Sequence, residues 1–133
     1  LCEGNMKVMY IVVNKDLNMS PGKIAAQVGH GVEKVCGYYK YVWDLVKSLS
    51  PENILEKDSQ FINDFLEWQI EGNSTKIVLG ADTKTFTKLS RKSPELVVVD
   101  AGKTEIAPNT ETVICFWPME KDSNKDIKRL QLL

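Results

Sequence analysis

Three side chains on one predicted helix carry the most chemistry in this sequence. Lys23, Gln27 and His30 follow one another at helical spacing, so at 100° per residue they share one side of the helix. Ile24, Val28, Val32, Val35, Tyr39, Val42 and Val46 repeat on another side. Small residues (Ala25, Ala26, Gly29, Gly31) surround the polar row. A glycine inside a helix costs about 1 kcal/mol relative to alanine, so close packing of a neighbour or access for a ligand should compensate. The row begins in the first turn, where unbonded backbone N–H groups and the helix dipole favour an anion. It reads either as a Lys/Gln/His row facing a cleft or as an exposed helix face whose glycines serve helix–sheet packing.

A fourth group, Asp100, directly follows the apolar run Leu96–Val99. It is either a turn-starting carboxylate or a partner for His30 or Lys23. If its strand runs parallel to the one preceding the helix, both groups lie on the carboxyl edge of the sheet, where open α/β folds bind ligands. Ser20-Pro21-Gly22-Lys23-Ile24 has part of the look of a phosphate loop. It lacks the earlier glycine, and Ile24 replaces the metal-binding hydroxyl, which argues against a nucleotide triphosphatase.

The elements that must position these groups are legible from hydrophobic pattern. Val8–Val13, Ile77–Leu79, Leu96–Val99 and Val113–Trp117 are short, continuously apolar runs, expected as strands covered on both faces. Helical patterns lie between them, which makes the class α/β with layers on either side of a sheet. Ser20 caps the first helix and Pro21 suits its first turn. A second helical region follows Ser50-Pro51-Glu52, with Ile54, Leu55, Phe61, Ile62, Phe65 and Leu66 as its buried side, and ends at Glu71-Gly72-Asn73-Ser74. A third, from about Asp82 to Lys92, buries Phe86 and Leu89 and is stopped by Pro94. A last short helix is expected after Ser123 as its cap.

The 133 residues and 43% hydrophobic content fit one compact globular domain, expected over 6–133, with 1–5 as a trimmed or unstructured tail. No stretch reaches the ~20 apolar residues of a membrane span, and no leader is expected before Met6. Cys2, Cys36 and Cys115 are odd in number, irregularly spaced and without C-x-x-C, and His30 is the single histidine. This pattern argues against a disulfide framework or a zinc site and favours a reducing, cytoplasmic setting. The formal charge of −1 hides an asymmetry: residues 51–71 carry six acids against Lys57, a net −5, leaving +4 elsewhere. A modest basic face can therefore coexist with an acidic knob, the alternative being a solvated mixed surface.

The string Asp16-Leu17-x-Met19-x-x-Gly22-Lys23-x-Ala25-Ala26-Gln27-x-x-His30 resembles the amino-terminal signature of type-two peptidyl-tRNA hydrolases, the archaeal and eukaryotic kind. Asp100-Ala101-Gly102-x-Thr104-x-Ile106-Ala107-Pro108, followed by Thr112-Val113, is similar to that family's second signature. Trp68 and Gly72 before Lys76-Ile77-Val78 resemble its middle segment. The matches run in family order from about Met6 to Pro118. The sequence departs from the pattern at Gly31, where alanine is usual, at Gly80, where a lysine often stands, and at Cys115-Phe116-Trp117-Pro118, which replaces a glycine-rich strand end.

The resemblance implies a three-layer α/β/α domain with a mixed four-stranded sheet. It also implies hydrolysis of the ester joining a stalled peptide to the 3′ ribose of its tRNA, without metal or organic cofactor. The substrate peptidyl-tRNA is then the nucleic-acid partner, and a homodimer is left open. Lys23, His30 and Asp100 are the expected catalytic groups, and Ser20, Gln27, Lys103, Thr104 and Thr112 are expected to bind substrate, with Gln27, Thr104 and Thr112 positioning the ester and ribose and Lys103 near a phosphate. His30 is the natural proton acceptor near neutrality, Asp100 orients it or holds the water, and Lys23 stabilises the oxyanion or the terminal phosphate. Lys15, Lys84, Lys88 and Arg91, with Lys92 beside them, are expected phosphate contacts, the alternative being solubility alone. Trp68 and Trp117 are expected in the core rather than stacked on bases. The rival reading is a non-catalytic adaptor of the same fold that binds tRNA or a protein. A third is a hydrolase that removes another acyl group from tRNA.

Overall fold

The computed structural model describes residues 6–103 and 105–133; the expectations for 1–5 and for Thr104 fall outside the described residues. Among these lie a mixed open sheet of six strands and four α-helices. The chain runs β1 (Lys7–Asn14), α1 (Pro21–Lys47), α2 (Glu56–Ile70), β2 (Lys76–Ala81), α3 (Thr83–Lys92), β3 (Val97–Val99), β4 (Glu111–Cys115), β5 (Met119–Glu120), α4 (Lys125–Lys128) and β6 (Gln131–Leu132).

The strand order is β3-β4-β1-β2-β6, and β5 adds to the start of β1. β1 pairs parallel with β2 and antiparallel with β4, and β3 pairs antiparallel with β4. β3 therefore runs in the same direction as β1, as the carboxyl-edge argument requires. The register Val98–Val113–Val13 brings the residue after β3, Asp100, level with the end of β1, one strand away across β4.

β1 is buried from Val8 to Asn14 because both its faces are covered. Met9, Ile11 and Val13 pack with Val35 of α1 and Phe65 and Trp68 of α2. Val8, Tyr10 and Val12 pack with Phe86 and Leu89 of α3 and Ile127 of α4. Period-two alternation in the middle strand thus feeds two separate apolar clusters.

The four expected strands are present, but two more complete the sheet. β5 and β6 have two residues each, too short to leave an apolar run in the sequence. The last of the expected runs is regular strand only to Cys115; the Phe116 N–H still donates to the Tyr10 carbonyl at 2.9 Å, and Pro118, which has no N–H, interrupts the pairing with β1 before it resumes at Met119. α4 is capped by Asn124, whose side chain accepts from the N–H groups of Asp126 and Ile127, and Ser123 instead donates to the carbonyl of Glu120. Leu55 is exposed at the N-cap of α2 rather than buried.

Gly31 has a packing reason. A Cβ built there would lie 2.8 Å from the Cβ of Cys115, so α1 approaches β4 more closely than an alanine allows. Gly29 meets nothing within 4 Å.

Candidate active site

α1 starts as its sequence dictates. The Ser20 hydroxyl accepts from the Lys23 N–H at 3.2 Å, and Pro21 needs no donor at the first helical position. The anion that this helix end attracts comes from the chain itself. The Glu105 carboxylate accepts from the Ser20 N–H at 3.0 Å and from the Ser20 hydroxyl. Those two hydrogen bonds hold the Glu105 carboxyl below its usual range, with the nearby Lys23 charge adding to the effect. Ser20, expected to bind substrate, is engaged by Glu105.

The polar row on α1 turns from interior to surface along its length. Gln27 is 3% exposed, Lys23 is half-buried and His30 is exposed. Asp100, only 5% exposed, gathers the buried part. Its Oδ1 accepts from Lys23 Nζ at 2.5 Å and from Gln27 Nε2 at 3.1 Å, and its Oδ2 accepts from the Gly102 N–H at 2.6 Å. The Thr112 hydroxyl, fully buried on β4, donates to Gln27 Oε1 at 2.6 Å. A carboxylate only accepts, so the Gln27 amide must turn its NH2 toward Asp100 and its oxygen toward Thr112. The backbone of Asp100 is fixed as well, donating to the Thr110 carbonyl and accepting from the Asn109 N–H, both at 2.8 Å.

Hydrogen bonding to the Lys23 ammonium lowers the Asp100 pKa, with the Gly102 N–H and the charges of Lys23 and His30 adding to it against the opposing effect of burial. Asp100 is thus an ionised anchor for Lys23. Its hydrogen bonds go to Lys23, Gln27 and Gly102, and His30 acts on it only through charge.

These groups line one open cleft of about 1010 Å³ between α1 and the β3 edge. Ser20, Lys23, Gln27, His30, Asp100 and Lys103 all face it. Thr112 lies behind Gln27. Lys15, Lys84, Lys88 and Arg91 do not line the cleft. The α3 lysines and Arg91 belong to the helix that packs on the other face of the sheet, although the start of α3 is tied to the same carboxyl edge through Thr83 N–H donating to Asp16 Oδ2 at 2.7 Å. Lys92 is paired with Asp126 at 3.0 Å. Trp68 is core at 3% exposure, and Trp117 is half-buried and stacked on Tyr38. Among the described residues, no group of three or more His, Cys, Asp or Glu side chains could hold a metal ion.

Two contributors to the cleft were not legible. Glu105 reaches Ser20 across 85 positions, and no local pattern marks it. Lys34 spans from α1 to β3, its ammonium donating to the Val97 carbonyl at 2.8 Å. Its place three positions after Gly31 on a helix that approaches the sheet closely is the one available signal.

The family model described as "Peptidyl-tRNA hydrolase PTH2" matches residues 7–133, nearly the whole chain. The chain belongs to the type-two peptidyl-tRNA hydrolase family. A peptidyl-tRNA hydrolase of Sulfurisphaera tokodaii is 35% identical over 115 residues, covering 83% of this chain and 84% of the relative. One from Thermoplasma acidophilum is 30% identical over 122 residues, covering 88% and 89%. The human "Peptidyl-tRNA hydrolase 2, mitochondrial" is 29% identical over 119 residues, covering 86% of this chain and 56% of that protein.

Proposed function

We propose that this cleft hydrolyses the ester between a peptide and the 3′ ribose of its tRNA, freeing the tRNA for reuse. The observation that carries the reading is the Lys23–Asp100 pair, locked by Gln27 and Gly102 into the wall of an open cleft whose rim holds the exposed imidazole of His30. Family membership supports the substrate class. The three-layer α/β/α arrangement is supported by the two apolar clusters on opposite faces of β1. The single domain over 6–133 accords with the match over 7–133.

In this mechanism His30 takes a proton from water as the water oxygen attacks the ester carbonyl carbon. Negative charge then develops on the carbonyl oxygen, and the Lys23 ammonium, held in place by Asp100, stabilises it. The C–O bond to the ribose breaks, and the ribose oxygen leaves with the proton returned by His30. Asp100 is a positioning residue: ionised and fully bonded, it fixes Lys23 rather than orienting the imidazole. Gln27 presents its remaining N–H toward the cleft, and Lys103, exposed at its mouth, meets the 3′-terminal phosphates. Thr104 is assigned to ester or ribose binding on its place in the second signature alone.

Incubation with N-acetyl-aminoacyl-tRNA and with free aminoacyl-tRNA tests the reading. Release of the acid from the blocked substrate alone is the expected result. Cleavage of neither with retained tRNA binding would establish an adaptor, and cleavage of the free aminoacyl form would make it a different acyl-tRNA hydrolase.

A further inference from the structure

A second, smaller cavity of about 360 Å³ adjoins the cleft. Its walls are Tyr38, Leu96, Cys115 and Trp117, and Lys34 and Glu95 stand among the residues around it. Lys34 lines both cavities, so the apolar pocket continues the active-site cleft along α1. Two of its walls, Cys115 and Trp117, come from the segment that departs from the family pattern.

The path between the two cavities runs beside β3, the terminal strand of the sheet. The Val98 carbonyl faces inward, 3.4 Å from the Thr112 hydroxyl, so the main chain of Val97 and Val99 faces outward in the alternation of a strand. Lys34 takes the Val97 carbonyl, and Val99 is 52% exposed. The Val97 N–H donates to the Pro94 carbonyl, so on this edge the main chain of Val99 is what an extended peptide can pair with.

Length fits the same occupant. From His30 to Tyr38 is eight helical positions, about 12 Å along α1. An extended chain covers that in three or four residues at about 3.3 Å each. We infer that the Tyr38–Trp117 pocket receives a bulky apolar side chain of the substrate's peptide arm, three or four residues before the ester-linked one. The inference rests on reading the cleft as the ester-cleaving site. It gives the enzyme a preference among peptides that the ester chemistry alone would not impose.

Three substrates on one tRNA test it: N-acetyl-aminoacyl-tRNA, and two pentapeptidyl-tRNAs carrying either phenylalanine or serine at both the third and fourth residues before the ester-linked one. The phenylalanine peptide should show a kcat/KM about 10-fold above the serine peptide, the scale of burying one large apolar side chain. Tyr38→Ser should shrink that ratio to within about 2-fold while leaving N-acetyl-aminoacyl-tRNA cleavage at the wild-type rate, and Tyr38→Phe should keep the ratio. Equal kcat/KM for the two peptides, with the blocked single residue still cleaved, overturns this inference and leaves the ester-cleaving site standing. A ratio unchanged in Tyr38→Ser overturns the placement. A wild-type dimer that Tyr38→Ser converts to monomer without altering the ratio shows a second copy over the pocket and also overturns it. Cleavage of none of the three overturns the site and the inference together.

Discussion

β1 has a lysine–aspartate pair near each end, and the second of them lines the cleft. At its start, Lys7 Nζ lies 3.1 Å from Asp64 of α2, with Glu67 at 3.9 Å and Glu120 at 4.0 Å. Beyond its other end, Lys23 Nζ lies 2.5 Å from Asp100. Both lysines are largely buried, with side chains 13% and 11% exposed. What differs is the surrounding. Lys7 serves three carboxylates and ties the acidic α2 to the sheet. Lys23 faces an open cleft at the carboxyl edge, and its aspartate is held in turn by an amide, a backbone N–H and a fixed loop. An ion pair becomes chemistry when its charge can be shared with a ligand.

Substitution at the two ends should separate these roles most sharply. Lys23→Ala and Asp100→Ala should each lower kcat at least ~100-fold in the blocked-substrate assay, the scale of one charge-stabilising group. Wild-type turnover by either would remove it from the mechanism. Lys7→Ala should leave turnover unchanged and cost about 1–3 kcal/mol in urea unfolding, because it leaves Asp64 without its counter-ion at a mostly buried contact.

The close approach of α1 to β4 should matter next. Gly31→Ala must push the helix off Cys115, costing about 1–2 kcal/mol and lowering kcat about 10-fold as Lys23 shifts from Asp100. The penalty should shrink in a Cys115→Gly background, and equal penalties in both would rule out the contact as its cause. Gly29→Ala, with open space around it, should stabilise by about 0.5–1 kcal/mol.

Acid should separate the Asp100 end as well. The Asp100 carboxyl is depressed, so its contribution to stability is complete above the unfolded pKa of about 3.9 and is lost as pH falls through its lower folded value. Asp100→Asn should therefore flatten part of the stability loss below about pH 4, measured by urea midpoints across that range. The smallest effect concerns the basic side of α3: Lys84→Ala and Lys88→Ala should each reduce the slope of log affinity for tRNA against log salt by a fraction of one phosphate contact. An unchanged slope would assign them to solubility.

Much of this was legible beforehand because it is local. The cap at Ser20, the proline after it and the i, i+4 relation of Lys23 and Gln27 need only one helix, and Asp100 needs only a strand end. The direction of β3 was only a condition of that reasoning, and the antiparallel pairings β3–β4 and β4–β1 supply it. What escaped was long-range. Glu105 at the start of α1, the Gly31–Cys115 contact and the two-residue strands β5 and β6 depend on which distant segment arrives beside them. Thr112 drew notice only through the resemblance, since a buried hydroxyl in a strand has no periodic signature. The outward turn of His30 is local again: at 100° per residue it lies about 60° further round α1 from the apolar stripe than Gln27.

The polarity of the Thr112–Gln27–Asp100 chain has a last consequence. Each hydrogen in it has only one direction to point, so the amide at its centre works as a valve between a donor and an acceptor rather than as a neutral spacer. Glutamate has the same outline as glutamine but would set two anions face to face and strip Lys23 of an undivided counter-ion. A change of one atom type at the centre should thus disturb the chain more than a change of volume at its end, such as Thr112→Val.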